Sequence, residues 1–227
     1  MEIRKPASLK RMAYESIRTS VLQRQLKRNV IYSEQWFADK FKISRTPVRE
    51  ALLQLRTEGL IDVLPNRGVI IHPLTLQDAT DICHMRAAIE GYCSAYLAQH
   101  TQEPEAQKAL ERVKTVLERC RQNFNYEDEL QFHLEIIQYS GNREFLASFN
   151  RMRTKIDVFW NEAAGGENRH TEIYYEHKAI LDSIKSGDVL GARDANERHL
   201  EIVLEKLQQG DLLSPTGELK PVEDDNN

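Results

Sequence analysis

Two sets of residues in this chain carry groups that could do chemistry. The first is the run Ser44-Arg45-Thr46-Pro47-Val48-Arg49-Glu50-Ala51-Leu52-Leu53-Gln54-Leu55. Val48, Ala51, Leu52 and Leu55 recur at helical spacing and define a face to bury. Pro47 falls in the first turn, where no intrahelical donor is needed. Ser44 is a predicted N-cap, its hydroxyl able to accept from a free backbone N–H. Arg45, Thr46 and Arg49 lie near the N-terminal tip, off the apolar face. A helix with two guanidiniums and a hydroxyl at its tip and a buried back suits entry into a DNA major groove. On an isolated helix such arginines are more often simply solvated, so the neighbouring elements have to decide.

The second set is Glu129, His133, His177 and His199. Glu129 and His133 are four apart and share one helix face; the other two histidines fall on later predicted helices. A carboxylate with three imidazoles is a plausible donor set for a divalent metal. Spacing alone leaves open the alternative of separate, hydrogen-bonded histidines. Arg86 adds a further group. It sits among Met85, Ala87, Ala88 and Ile89, and a guanidinium on so apolar a helix needs a partner. That partner is either Glu90 at i+4 or the carboxylate of a small effector held by a bidentate pair.

The elements around the first set support its DNA reading. Ser33-Glu34-Gln35-Trp36-Phe37-Ala38-Asp39-Lys40-Phe41 reads as a short amphipathic helix, and Lys42-Ile43-Ser44 as the turn after it. Gly59 can stop the second helix. Ile61–Leu64 and Val69–His72 read as strands joined at Pro65-Asn66-Arg67-Gly68. Helix, turn, helix and β-hairpin make a winged helix-turn-helix. A preceding helix over Ser8–Gln25 carries a stripe of Met12, Tyr14, Ile17, Val21 and Leu22.

With Glu58-Gly59-Leu60 and Pro65-Asn66-Arg67-Gly68, the run from Ser44 to Leu52 resembles the GntR family of bacterial transcription regulators over roughly the first 74 residues. The resemblance implies DNA contacts from Arg45, Thr46 and Arg49, and from a wing tip around Arg67 and Gly68. Gln35 stands where the family often has arginine, and Lys27-Arg28-Asn29 replaces its usual Pro-Gly. Further on, Glu129-Leu130-Gln131-Phe132-His133, Ser140-Gly141-Asn142 and Glu176-His177 through Ser186-Gly187-Asp188 to His199 resemble the FCD domain of the FadR subfamily. That resemblance implies an all-helical effector domain that often binds a metal through an aspartate and three histidines. The aspartate's place is taken by Glu129; Asp128 is one residue off the right face. Zinc, nickel and manganese are not separable on these residues. It also implies a metabolite carboxylate as effector, chelated by Arg86 and the metal together.

Charge is distributed in keeping with this division. The 227 residues carry a net −4, which by itself argues against a nucleic-acid binder. Residues 1–74, however, hold 14 Lys+Arg against 7 Asp+Glu, and the remainder 17 against 28, giving +7 and −11. A basic head on an acidic body favours DNA at one end only. Cys83, Cys93 and Cys120 show no paired or ligand-like spacing and suit reduced thiols. The N-terminus lacks an apolar core for a signal peptide, and no apolar run approaches the roughly 20 residues that span a bilayer. The expected location is the cytoplasm, on the nucleoid, with no membrane partner.

After a boundary at Pro73-Leu74-Thr75, the pattern is helical throughout. Thr75-Leu76-Gln77-Asp78 resembles a capping box opening a helix to about Gln99, with Ile82, Met85, Ala88, Ile89, Tyr92, Ala95 and Tyr96 as its predicted buried stripe. Further helices are predicted from Thr101–Pro104 to Arg121, from Asn125 to Tyr139, from Asn142 to a break at Ala163–Gly166, from Asn168 to Lys185, and to about Gln209. The predicted fold is mainly α: a winged helix-turn-helix over 1–74, an all-α bundle over 75–209, and a disordered tail over 210–227. The expected function is a ligand-responsive transcription regulator rather than an enzyme. It should act as a homodimer on a palindromic double-stranded operator, since one recognition helix reads too few base pairs. The rival readings are a nucleoid-type DNA-binding protein without effector, and a metalloenzyme using the Glu129 set.

Overall fold

The computed structural model describes residues 8–22, 25–27, 30–71, 75–163 and 166–209. The basic arm at 1–7, His72, the 73–74 boundary, Ala164-Gly165 and the tail from 210 lie outside the described residues. The chain divides into two units between Thr75 and Leu76.

The first unit contains α1 (Leu9–Leu22), α2 (Glu34–Phe41), α3 (Arg45–Thr57), β1 (Ile61–Leu64) and β2 (Gly68–Ile71). Ser33 caps α2, its side chain accepting from the Trp36 N–H, and Lys42 ends it in the left-handed conformation. That leaves a two-residue link before α3. Val48, Ala51, Leu52 and Leu55 are all buried and pack with Ile17 of α1, Phe37 of α2, Leu60 and Ile61. Ser44 occupies the N-cap position of α3 with extended backbone, but its hydroxyl makes no capping bond, so the expected side-chain cap is not formed. In α1, Ile17 and Val21 are buried with Ala13, whereas Met12 is 54% exposed and Tyr14 and Leu22 are half-buried. Tyr14 instead donates to Glu58 beyond α3.

The wing is an antiparallel pair with Ile61 opposite Ile71 and Leu64 opposite Gly68. Pro65 and Asn66 turn the chain, Asn66 at φ 60°, closed by the Arg67 N–H to the Leu64 carbonyl at 3.0 Å. Proline then asparagine suits a type II turn, which needs positive φ at its second central residue. Tyr32 and Val69 exchange both backbone hydrogen bonds at 2.8 Å, adding a bridge outside the hairpin. This bridge is why residue 68 is glycine: at its φ of +130° a Cβ would lie 2.4 Å from the Tyr32 carbonyl oxygen.

The second unit is helical: α4 (Leu76–Gln99), α5 (Pro104–Gln122), α6 (Tyr126–Tyr139), α7 (Arg143–Ala163), α8 (Gly166–Lys185) and α9 (Val189–Gln209). Asn125 caps α6 through Asp128 N–H. Asn142 opens α7, accepting from the Glu144 and Phe145 N–H groups. Gly141 and Gly187, both at positive φ, end the helices before them. The central element is α4, which packs against α6, α7, α8 and α9.

The buried side of α4 differs from the predicted one. Ile82 and Ile89 are inside, with Ala79, Cys83, Arg86, Glu90, Cys93, Ser94 and Leu97. Met85 and Tyr92 are 49% and 54% exposed, Ala88 is exposed, and Ala95 and Tyr96 are half-buried. Apolar residues surround α4 almost completely, so periodicity offered two faces. The bundle covers the one that carries an arginine and a glutamate.

Candidate DNA interface and metal centre

The tip of α3 keeps its polar groups in solvent. Ser44, Thr46 and Arg67 are exposed, and the Arg45 and Arg49 side chains are 64% and 71% exposed. Both guanidiniums face the same carboxylate at the start of α2. Arg45 Nη2 lies 3.2 Å from Glu34 Oε2, and Arg49 Nε lies 3.9 Å from Glu34 Oε1. Pairs this exposed add little stability, but they do bias where the two side chains point. Sequence reasoning missed Glu34. Gln35 is turned onto its own helix, donating to Asp39 at 2.7 Å.

In the second unit, α6, α8 and α9 bring Glu129, His133, His177 and His199 together. Each offers one donor atom, all lying within 4.8 Å of one another. All four residues are 1% exposed or less. Asp128, by contrast, bonds Arg119 and Asn125 and takes no part.

The donor atoms pass a chemical test for a cation. Both Glu129 oxygens, both nitrogens of His177 and Nε2 of His199 are buried without a hydrogen-bond partner. Burying a carboxylate and imidazole lone pairs this way is costly unless something positive shares the space. His133 Nε2 lies 3.4 Å from Glu129 Oε1. Donors bonded to a common ion at about 2.0–2.2 Å sit roughly that far apart in a tetrahedron. Burial, reinforced by the charges of His199 and His133, pushes His177 well below the usual imidazole value. Burial also lowers His199, against the pull of Glu176. Both therefore favour the neutral, lone-pair-bearing form that a metal requires. For His133, burial pushes down and the Glu90 carboxylate pushes up, and the net is upward.

Arg86 is 3% exposed and beside this cluster. Its Nε is 2.6 Å from Glu90 Oε1, its Nη2 3.5 Å from Glu90 Oε2, and its guanidinium lies over Phe149, 5.8 Å from the ring centre. Burial alone would raise the Glu90 carboxyl; Arg86, with His133, holds it down to about 2. The i+4 partner is thus engaged. Of the remaining histidines, His84 is exposed, His100 lies 2.7 Å from the Tyr96 carbonyl, and His170 stacks on Phe124. The three cysteines are free and buried. No helix among the described residues is long and apolar enough to cross a membrane.

Comparison with known proteins finds a family match for each unit. Residues 9–71 match the gntR family of bacterial regulatory proteins, and residues 81–202 match the FCD domain. An HTH-type transcriptional regulator from Streptomyces ambofaciens is 26% identical over 206 residues, covering 88% of this chain and 85% of the relative. The gluconate operon transcriptional repressor of Bacillus subtilis is 29% identical over 153 residues, 66% of this chain and 62% of that one. A GntR transcriptional regulator from Rhodococcus sp. RHA1 shares the fold, with a TM-score of 0.69 at 18% identity over 89% of this chain and 98% of its own. These proteins are regulators, not enzymes. A solvent-facing cationic helix tip and wing on one unit, and a helical unit matched by the FCD domain, make this chain a DNA-binding transcription regulator of the GntR family, of the type that carries an FCD domain.

Proposed function

We propose that the protein acts as a one-component switch: two copies of the winged head bind a palindromic operator, and a small carboxylate sensed in the helical unit changes that binding. The observation that carries this reading is the convergence of Glu129, His133, His177 and His199 inside the bundle with buried donor atoms left unpartnered. These four residues would hold a divalent ion; zinc, nickel and manganese all accept such donors. When bound, the ion supplies a fixed positive charge able to accept an effector carboxylate. Arg86, buried beside the cluster and paired with Glu90, would supply a second positive charge to the same carboxylate. A small organic acid is the effector class this arrangement favours. The Bacillus relative named for the gluconate operon is in keeping with it.

At the head, Arg45 and Arg49 are assigned to guanine edges or adjacent phosphates and Thr46 to a thymine methyl or phosphate. Ser44 would reach backbone phosphate, and Arg67 and Gly68 would approach the groove from the wing. Two heads are needed because a single one cannot discriminate a genomic site. Met85 and Tyr92, exposed on α4 with Phe145 against Tyr92 at 5.4 Å, offer an apolar face that a second copy would cover. The three buried free thiols suit the reducing cytoplasm, where the nucleoid is. An effector changes DNA affinity only by as much as it prefers one arrangement of the dimer.

The test is metal analysis of chain purified without chelators, followed by operator competition. About one divalent ion per chain is expected, lost in His133→Ala with His177→Ala. A carboxylate should then shift operator affinity relative to random DNA. Chain that carries no metal under these conditions removes the metal from the reading. DNA affinity indifferent to sequence and to carboxylates would favour the nucleoid-type alternative.

A further inference from the structure

Two of the cluster histidines are backed by buried ion pairs built in the same order. His199 Nδ1 lies 2.7 Å from Glu176 Oε2. The other side of that carboxylate is clasped by the fork of Arg169, through Nη1 to Oε1 and through Nη2 to Oε2 at 3.2 Å. His133 Nδ1 lies 2.8 Å from Glu90 Oε2, close but not aligned as a hydrogen bond. Glu90 Oε1 is in turn held by Arg86 Nε at 2.6 Å. Arg86, Glu90 and Arg169 are 6% exposed or less, and the Glu176 side chain is 11% exposed. His177 is held differently, its ring lying flat on Phe132 at 4.3 Å and 3°.

A buried arginine–glutamate pair is no better for stability than two well-packed apolar residues, so two such pairs at one site call for another role. A carboxylate on Nδ1 fixes a neutral imidazole with its proton on Nδ1 and its lone pair on Nε2. The Nε2 atoms are the ones facing the cluster: that of His133 toward Glu129 at 3.4 Å, and that of His199 unpartnered. We infer that Arg169–Glu176 and Arg86–Glu90 are positioning pairs of the metal centre: the first fixes the ring orientation and tautomer of His199 through its hydrogen bond, the second holds the ring of His133 by close ionic contact, and Nε2 of each is presented to the ion. This rests on the metal reading above. Neither glutamate is itself a ligand. The sequence held a trace of the first, since Glu176 precedes His177, but nothing in the spacing linked it to His199.

The experiment uses the full-length chain stripped of metal and titrated with Zn²⁺ against a chromophoric chelator, and separately loaded with Co²⁺ for visible spectroscopy. Glu176→Gln and Glu90→Gln should each weaken Zn²⁺ binding about 10–100-fold, as loss of such outer partners does elsewhere, and should alter the Co²⁺ absorption bands. Glu172→Gln is the control. Glu172 also touches Arg169, at 3.2 Å, but contacts Lys206 rather than a histidine, so its affinity should stay within about twofold of wild type. Wild-type affinity and an unchanged Co²⁺ spectrum in both Glu176→Gln and Glu90→Gln would overturn the inference while leaving the metal reading intact. A wild-type chain that binds no metal would overturn both. A second measurement needs no variant: ¹⁵N NMR of the metal-free wild type should find His199 as the Nδ1–H tautomer, and a dominant Nε2–H form would overturn the inference.

Discussion

Replacing Arg86 with methionine tests the electrostatics at the centre of the helical unit. The substitution keeps an unbranched apolar stem but leaves Glu90, 1% exposed, without its cation. Orphaning one partner of a buried pair costs about 3–5 kcal/mol. An independent bound gives the same order. At pH 7 the abandoned carboxyl can escape by taking up a proton, and from its ordinary value of 4.5 that costs about 3 kcal/mol. The lost attraction adds to it. For a helical unit of this size the loss corresponds to a melting point lower by about 10–15 °C, to be read by calorimetry in the presence of chelator so that metal does not contribute. Arg86→Met combined with Glu90→Leu removes the unpaired charge and should recover most of the loss. If Arg86→Met alone costs less than about 1 kcal/mol, or if the double variant is worse than the single one, Arg86 is not the group that balances Glu90.

Three further outcomes are expected. Arg45→Ala should weaken operator binding by about 1–3 kcal/mol if it pairs with a base edge, whereas Glu34→Gln should raise affinity for random DNA and narrow the gap to the operator, because Glu34 faces both arginines; equal losses on operator and random DNA for Arg45→Ala would reduce it to a phosphate contact. Met85→Asp with Tyr92→Asp should convert a dimer to monomer in light scattering while preserving helicity, and a dimer that persists would place the interface elsewhere.

The two regions of the chain differ in how far local pattern reached. In the head it reached almost everything. Helix α3, its buried Val48-Ala51-Leu52-Leu55 face, the short helix before it and the wing turn at Pro65-Asn66 are encoded by neighbours a few residues apart, whereas the side-chain cap expected from Ser44 is not formed. Periodicity and turn chemistry act over that range. The helical breaks at Gly141 and Gly187 were legible for the same reason. The charge division between head and body likewise needs no coordinates. The donor set Glu129, His133, His177 and His199 could be nominated from residue types and resemblance, yet only packing of α6, α8 and α9 brings the four within reach of one ion.

What tertiary structure alone decided was which way α4 faces, and so what surrounds the cluster. Its apolar residues encircle the helix, and sequence periodicity chose Met85, Ala88 and Tyr92 as the inner side. The bundle instead encloses Arg86 and Glu90. A local pattern ranks residues by their separate preference for water, and by that measure a charged pair belongs outside. Inside the bundle Glu90 is balanced by Arg86 and meets His133 from another helix, while Glu176 meets His199 from a third. The Arg86–Glu90 pair is local, at i,i+4 on α4, but His133 lies 43 residues from Glu90 and His199 lies 23 from Glu176, so those meetings exist only once the helices have packed.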